Sequence, residues 1–223
     1  MIRADPSFPS NPRLILPRVY ALTDIHLSGL SHAEQVELLS AGGASLIQLR
    51  EKQLSARDFY EQAKAAVAVA TKRDVKLIVN DRVDVALAVG ADGVHLGQDD
   101  MPPDVARKLL GPNALIGYST HNIEQAIAAA KLPIDYLAIG PIFATTTKSD
   151  TAPVLGLDGL RTVRQAIGAF PLVAIGGITH ANAREVIEAG ADSVAVISAL
   201  LSDPTQITEA TRKLNFQLHP RQT

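Results

Sequence analysis

Eight short apolar runs, many of them β-branched, alternate with longer alanine-rich segments between Arg18 and the C-terminus, and that rhythm leaves few folds open to this 223-residue chain. The runs at 19–22, 45–49, 76–79, 93–96, 115–118, 136–139, 172–175 and 193–196 read as strands. Between them, helices are expected over 31–41, 55–72, 83–89, 105–110, 123–130, 157–167 and 181–189, with a last one starting near Thr205. Strict alternation with near-continuous apolar strands means a parallel sheet covered by helices. Gly42-Gly43, Gly90 and Gly190 stand where helices must end before the next strand. Eight such units predict a single-domain α/β fold, the closed (β/α)8 TIM barrel.

Composition agrees with one globular domain, at 47% hydrophobic and 20% charged residues. The expected layout is a flexible arm over 1–17, rich in proline, a barrel over 18–215 and a polar tail over 216–223. A formal net charge of −2 and only 4% aromatic residues argue against a nucleic-acid surface. The absence of cysteine excludes disulfides and thiolate catalysis. No run approaches the roughly 18 apolar residues of a membrane helix, so a soluble, cytoplasmic protein without membrane partners is expected. The sequence leaves homo-oligomerisation open.

Polar residues gather at the ends of the strands, which in parallel α/β folds converge on one ligand-binding rim. In an extended chain Gln48, Arg50 and Lys52 share a face, which carries an amide and two cations and no acid. That face predicts a waiting anion, read here as the diphosphate of a small substrate. Lys148, after three threonines in the loop between Gly140 and Gly156, would add a third cation. A diphosphate, with about three negative charges, suits three cations better than a carboxylate would. Asn80 and Ser119 would add neutral hydrogen bonds.

Asp81 and Asp100 follow the third and fourth strands, and neighbouring strands lie about 4.8 Å apart. Two carboxylates with phosphate oxygens and water can hold magnesium. The plainer alternatives make Asp81 the N-cap of the 83–89 helix and Asp100 a turn residue before Pro102. A second anion site is expected where Gly176-Gly177 and Ser198 end strands seven and eight, the usual phosphate position in barrels. There Ser198 would serve as N-cap and ligand. A tight turn with an ordinary cap would give the same residues. His26, His32, His180 and His219 are expected to be exposed, His95 to be a hydrogen-bonded interior residue, and His121 to be an acid or base only as a lesser option.

These stretches together resemble the thiamine-phosphate synthase family: Gln48-Leu49-Arg50-Glu51-Lys52, Val79-Asn80-Asp81, His95 to Asp100, Tyr118 to His121, Thr145 to Lys148, Ile175 to Ile178 and Ile197-Ser198. The resemblance runs from about Tyr20 to Leu201. It implies a barrel that joins hydroxymethylpyrimidine diphosphate to hydroxyethylthiazole phosphate and releases diphosphate. By that resemblance Asp81 and Asp100 hold one magnesium ion per subunit. Gln48, Leu49, Arg50, Glu51, Lys52, Asn80, Ser119 and Lys148 hold the pyrimidine diphosphate, with Arg50, Lys52, Ser119 and Lys148 catalytic. Thr145, Thr146, Thr147, Gly177, Ile197 and Ser198 hold the thiazole phosphate, and the 141–156 loop would close as a water-excluding lid. Ala144 stands where many relatives have proline. Two rivals share the outline: a thiazole tautomerase, which would need His121 but not the acids, and a non-catalytic phosphate-binding barrel.

Overall fold

A computed structural model describes residues 15–145 and 153–219. Eight parallel strands close a barrel in sequence order: β1 (Val19–Leu22), β2 (Leu46–Leu49), β3 (Lys76–Asn80), β4 (Gly93–Leu96), β5 (Leu115–Thr120), β6 (Tyr136–Ile139), β7 (Leu172–Ile175) and β8 (Ser193–Val196). Closure is made by β1 against β8, with Val19, Tyr20 and Ala21 beside Val194, Ala195 and Val196. The outer layer is α1 (Ile25–Ser28), α2 (His32–Ala41), α3 (Ala56–Arg73), α4 (Val83–Val89), α5 (Pro103–Leu110), α6 (Ile123–Ala129), α7 (Gly156–Ile167), α8 (Ala183–Glu188), α9 (Ser198–Leu201) and α10 (Ile207–Leu218). Among the described residues no helix is long and apolar enough to cross a membrane.

Five of the eight expected strands match the observed bounds and the other three differ by one or two residues, because their apolar runs are unbroken, and the differences among the helices and termini have local causes. Ser31 and Ser55 lie outside their helices as N-caps, and Ser31 forms a reciprocal capping box with Glu34. Strands β3 and β5 run on through Asn80 and Thr120, so Asn80 and Ser119 are strand residues held by the sheet. Helix α10 continues to Leu218, which is buried, so the expected tail over 216–223 starts inside a helix. Leu16 is buried in the core, so the barrel begins within the expected arm, whose residues 1–14 lie outside the described ones.

Side-chain parity divides the strands. Inward positions carry Tyr20, Gln48, His95 and Tyr136, whose polar ends meet across the interior. The register sets Gly117 between His95 and Tyr136 in one row of neighbouring strands. Outward positions such as Ile47 and Leu49 are fully buried beneath the helices. At the N-terminal end of the barrel one device recurs. Asp92, Asp135 and Asp192 each accept the N–H of a neighbouring strand, from Leu77, Ile116 and Leu172, and each pairs with a cation, Lys76, Arg107 or Arg164.

Candidate functional site

The C-terminal ends of β1 to β5 bring the expected anion residues to one mouth. Arg50 Nη1 lies 2.7 Å from Asp24 Oδ2, and its Nε is buried with no partner among the described residues. Lys52 Nζ pairs with Asp81 Oδ2. The shared face of Gln48, Arg50 and Lys52 therefore meets acids from neighbouring strands. Asp24 is a partner of Arg50 that sequence reasoning misses, although a signal for it exists. The register pairs Leu22 with Gln48, and two further residues along each strand set Asp24 beside Arg50.

Leu49 and Glu51 have the opposite parity, so their side chains do not share that face with Gln48, Arg50 and Lys52. Leu49 is fully buried in the core. Glu51 Oε1 accepts from the N–H groups of Lys52, Gln53 and Leu54 at 2.8, 2.6 and 3.1 Å, clamping the turn that carries Lys52. Burial alone would raise the Glu51 carboxyl, but these three N–H groups and His32 hold it below the usual range. His32, expected to be exposed, is 0% exposed and lies under this turn, with Nε2 3.6 Å from Glu51 Oε2 and Nδ1 2.7 Å from Thr23 Oγ1. Burial holds its pKa down to about 4, against the pull of Glu51 and Asp24. Of the other histidines expected at the surface, His26 and His219 are exposed and His180 is partly buried.

Asp81 is not an N-cap. Arg82 occupies the cap position of α4 without a side-chain bond, and Asp81 sits at φ 62 with its N–H on the His95 carbonyl at 2.8 Å. A left-handed aspartate outside a glycine position is strained backbone that its surroundings must hold. Asp100 does keep a turn role, since its Oδ2 accepts from Gly97 N at 2.7 Å. Burial pushes its carboxyl up, the Gly97 N–H draws it back, and the charge and hydrogen bonding of Asp81 push it up again. Two carboxylates that repel each other beside one lysine form a donor set that a divalent cation would satisfy. Among the described residues no third acid, histidine or cysteine joins them, which fits a hard cation that completes its shell with substrate oxygens and water.

Ser119 Oγ lies 2.8 Å from His95 Nε2, and Asn80, 7% exposed, neighbours His95 in the register. His95 is thus the interior residue expected. His121 Nδ1 lies 2.8 Å from the Gly140 carbonyl oxygen, at the start of the loop after β6. The ends of that loop are tied together, Leu155 N to Pro141 O at 2.9 Å and Gly156 N to Ile142 O at 3.1 Å. Thr146, Thr147 and Lys148 lie outside the described residues, as do residues 149–152 of the expected lid.

A second cavity of about 370 Å³ opens beside the ends of β7 and β8, and Thr145, Gly177, Ile197 and Ser198 all line it. Gly176 and Gly177 have positive φ, and the backbone that approaches them belongs to this chain. A Cβ on Gly177 would stand 2.6 Å from Ala144 O, and one on Gly176 2.6 Å from Pro141 Cα. Ser198 is the first residue of α9 and not its cap. Ile197 takes the cap position, and no side-chain oxygen caps the helix.

The chain matches the family model described as thiamine monophosphate synthase over residues 19–200. Thiamine-phosphate synthase of Chloroflexus aurantiacus is 52% identical over 198 residues, covering 88% of this chain and 90% of the relative. That of Albidiferax ferrireducens is 50% identical over 201 residues, covering 90% and 91%. The structure of thiamine phosphate pyrophosphorylase from Pyrococcus furiosus superposes with a TM-score of 0.83 at 41% identity, covering 93% of this chain and 98% of that one. Orotidine 5'-phosphate decarboxylase from Pyrococcus horikoshii, at 13% identity and a TM-score of 0.63, shares the fold alone.

Proposed function

We propose a division of labour at the barrel mouth from one premise: this chain belongs to the thiamine monophosphate synthase family, as its match over residues 19–200 shows. It is a transferase of thiamine biosynthesis acting on small molecules. Hydroxymethylpyrimidine diphosphate binds against Gln48, Arg50, Lys52, Asn80 and Ser119, with Lys148 completing the cations. Hydroxyethylthiazole phosphate binds in the cavity lined by Thr145, Gly177, Ile197 and Ser198, with Thr146 and Thr147 beside it. The reading keeps the cytoplasmic location expected from the sequence.

The carbon–oxygen bond to the diphosphate breaks, and the thiazole nitrogen captures the carbon cation that the pyrimidine ring stabilises. Arg50 and Lys52 hold the negative charge that grows on the departing oxygen, and Ser119 and Asn80 donate hydrogen bonds to the same group. No general base is needed, because the nucleophile is a neutral ring nitrogen. Asp81 and Asp100 would hold one magnesium ion, which supplies further charge stabilisation to the leaving group when bound.

The observation that carries this reading is the pairing of cations with acids, Arg50 with Asp24 and Lys52 with Asp81, at the same rim as a separate cavity behind Gly177 and Ser198. A tautomerase finds less support, since the His121 it would use already engages the Gly140 carbonyl. The test is diphosphate release from the purified full chain, with each substrate alone and with both. Release and thiamine phosphate should appear in equal amounts only with both substrates, and chelation should stop them. Release that ignores the chelator would contradict the metal assignment.

A further inference from the structure

A line of five polar side chains crosses the barrel interior beneath the mouth. Gln48 Nε2 donates to Tyr20 Oη at 3.0 Å, and Tyr20 Oη lies 2.8 Å from Tyr136 Oη. Tyr136 Oη lies 3.2 Å from His95 Nδ1, and His95 Nε2 lies 2.8 Å from Ser119 Oγ. Tyr20, Tyr136, Gln48 and His95 are 1%, 0%, 3% and 6% exposed, so water cannot substitute for these partners. The line joins β2 to β5 through β1, β6 and β4, and so connects Gln48 and Ser119, both assigned above to the pyrimidine site.

The arrangement is built rather than incidental. Gly117 stands between His95 and Tyr136 in the register, and a Cβ there would fall 2.1 Å from Tyr136 Cζ and 2.4 Å from His95 Nδ1. The missing side chain lets the two rings stack, with centroids 5.6 Å apart and planes at 28°. Burial pushes both phenols well above their ordinary range, so each keeps one proton and can donate once.

One donor at the end orders the whole line. An amide N–H₂ can only donate, so Tyr20 accepts from Gln48, and the one acceptor within reach of its own buried proton in this line is Tyr136 Oη. Tyr136 then gives its proton to His95 Nδ1, which must be the acceptor of a neutral ring. The ring proton lies on Nε2 and is donated to Ser119 Oγ.

We propose that Tyr20 and Tyr136 are positioning residues that fix His95 as the Nε2–H tautomer, so that Ser119 accepts from below and presents its own hydroxyl proton to an acceptor in the mouth. This rests on the reading above, in which Ser119 donates to the pyrimidine diphosphate. Its distinctive content is directional: a serine already accepting a hydrogen bond is a better donor, and one that donates downward would offer substrate only lone pairs.

The test is ¹⁵N nuclear magnetic resonance of the full chain labelled at histidine, without substrate, the His95 signal being assigned with His95→Asn. The wild type should show a single His95 tautomer, protonated at Nε2. An Nδ1–H ring or an even mixture would overturn the proposal, and this measurement needs no variant to fold. Tyr136→Phe removes the donor to Nδ1, so the His95 signal should move to a tautomer mixture. Its kcat should fall about tenfold with KM for the thiazole phosphate unchanged. Tyr20→Phe leaves Tyr136 able to donate and should keep the wild-type tautomer, with a smaller loss of kcat. If the two variants lost stability alike and left the tautomer and kcat untouched, the line would be structural only and the proposal wrong. Wild-type protein that makes no thiamine phosphate would instead sink the functional reading, whatever the tautomer.

Discussion

Asp81 joins strain and charge in one residue. Its φ of 62 is a conformation that asparagine adopts at least as readily, while its carboxylate faces Lys52 and raises Asp100. Asp81→Asn should therefore leave the melting temperature unchanged or higher and lower turnover by roughly 10²-fold or more. Thermal unfolding and steady-state kinetics on the same preparation check this, and a variant with wild-type kcat would refute the role. His32 gives a prediction in pH. Its folded pKa of about 4 lies below the ordinary 6.5, so as pH falls the unfolded chain binds a proton that the folded chain refuses. Stability should drop between those two values, by on the order of 3 kcal/mol over the full span. Denaturant titrations near pH 7 and pH 4.5 should show a steeper loss for wild type than for His32→Gln. Equal losses would mean that His32 is not held neutral. The sequence displayed Arg50, Lys52 and both acids but not Asp24 or His32 as their supports. A charged residue announces itself by type, whereas a partner 26 residues away is visible only once β1 and β2 are in register.

Elements divide the barrel into two ends with different duties. At the N-terminal end the aspartates just before β4, β6 and β8 act as staples to the starts of β3, β5 and β7, and Arg107 shows how firmly. Its guanidinium bonds Asp135 at 2.6 Å and also the carbonyls of Pro133 and Ala114, with both charged side chains about nine-tenths buried. Asp135→Ala would leave that cation buried without its counter-charge, and should cost about 3–5 kcal/mol in chemical denaturation. Turnover per folded molecule should stay near wild type, because the site lies at the other end. A loss of kcat larger than the loss of folded protein would break this division. The strands and long helices could be read in the sequence from period and caps. Helices α1 and α9 could not, since four residues hold too little of a 3.6-residue period to show one. The place of Ser198 is hidden for the same reason: without a visible α9, nothing in the sequence separates a cap from a first turn.

Across the whole molecule, eight units predicted closure, and the observed barrel closes β1 on β8. What a count of units cannot give is which side chains meet inside. Tyr20 and Tyr136 are 116 residues apart and touch because both point inward from strands on facing walls. The same geometry sets the paired charges of the mouth and the cavity behind Gly177 at one end, the arrangement that the proposal above assigns to two separate anions. Calorimetric titration of inorganic diphosphate into the full chain, with and without magnesium, tests that arrangement most directly. Binding should be clear with magnesium and at least about tenfold weaker without it or in Asp100→Ala. Equal affinity in all three titrations would contradict the account.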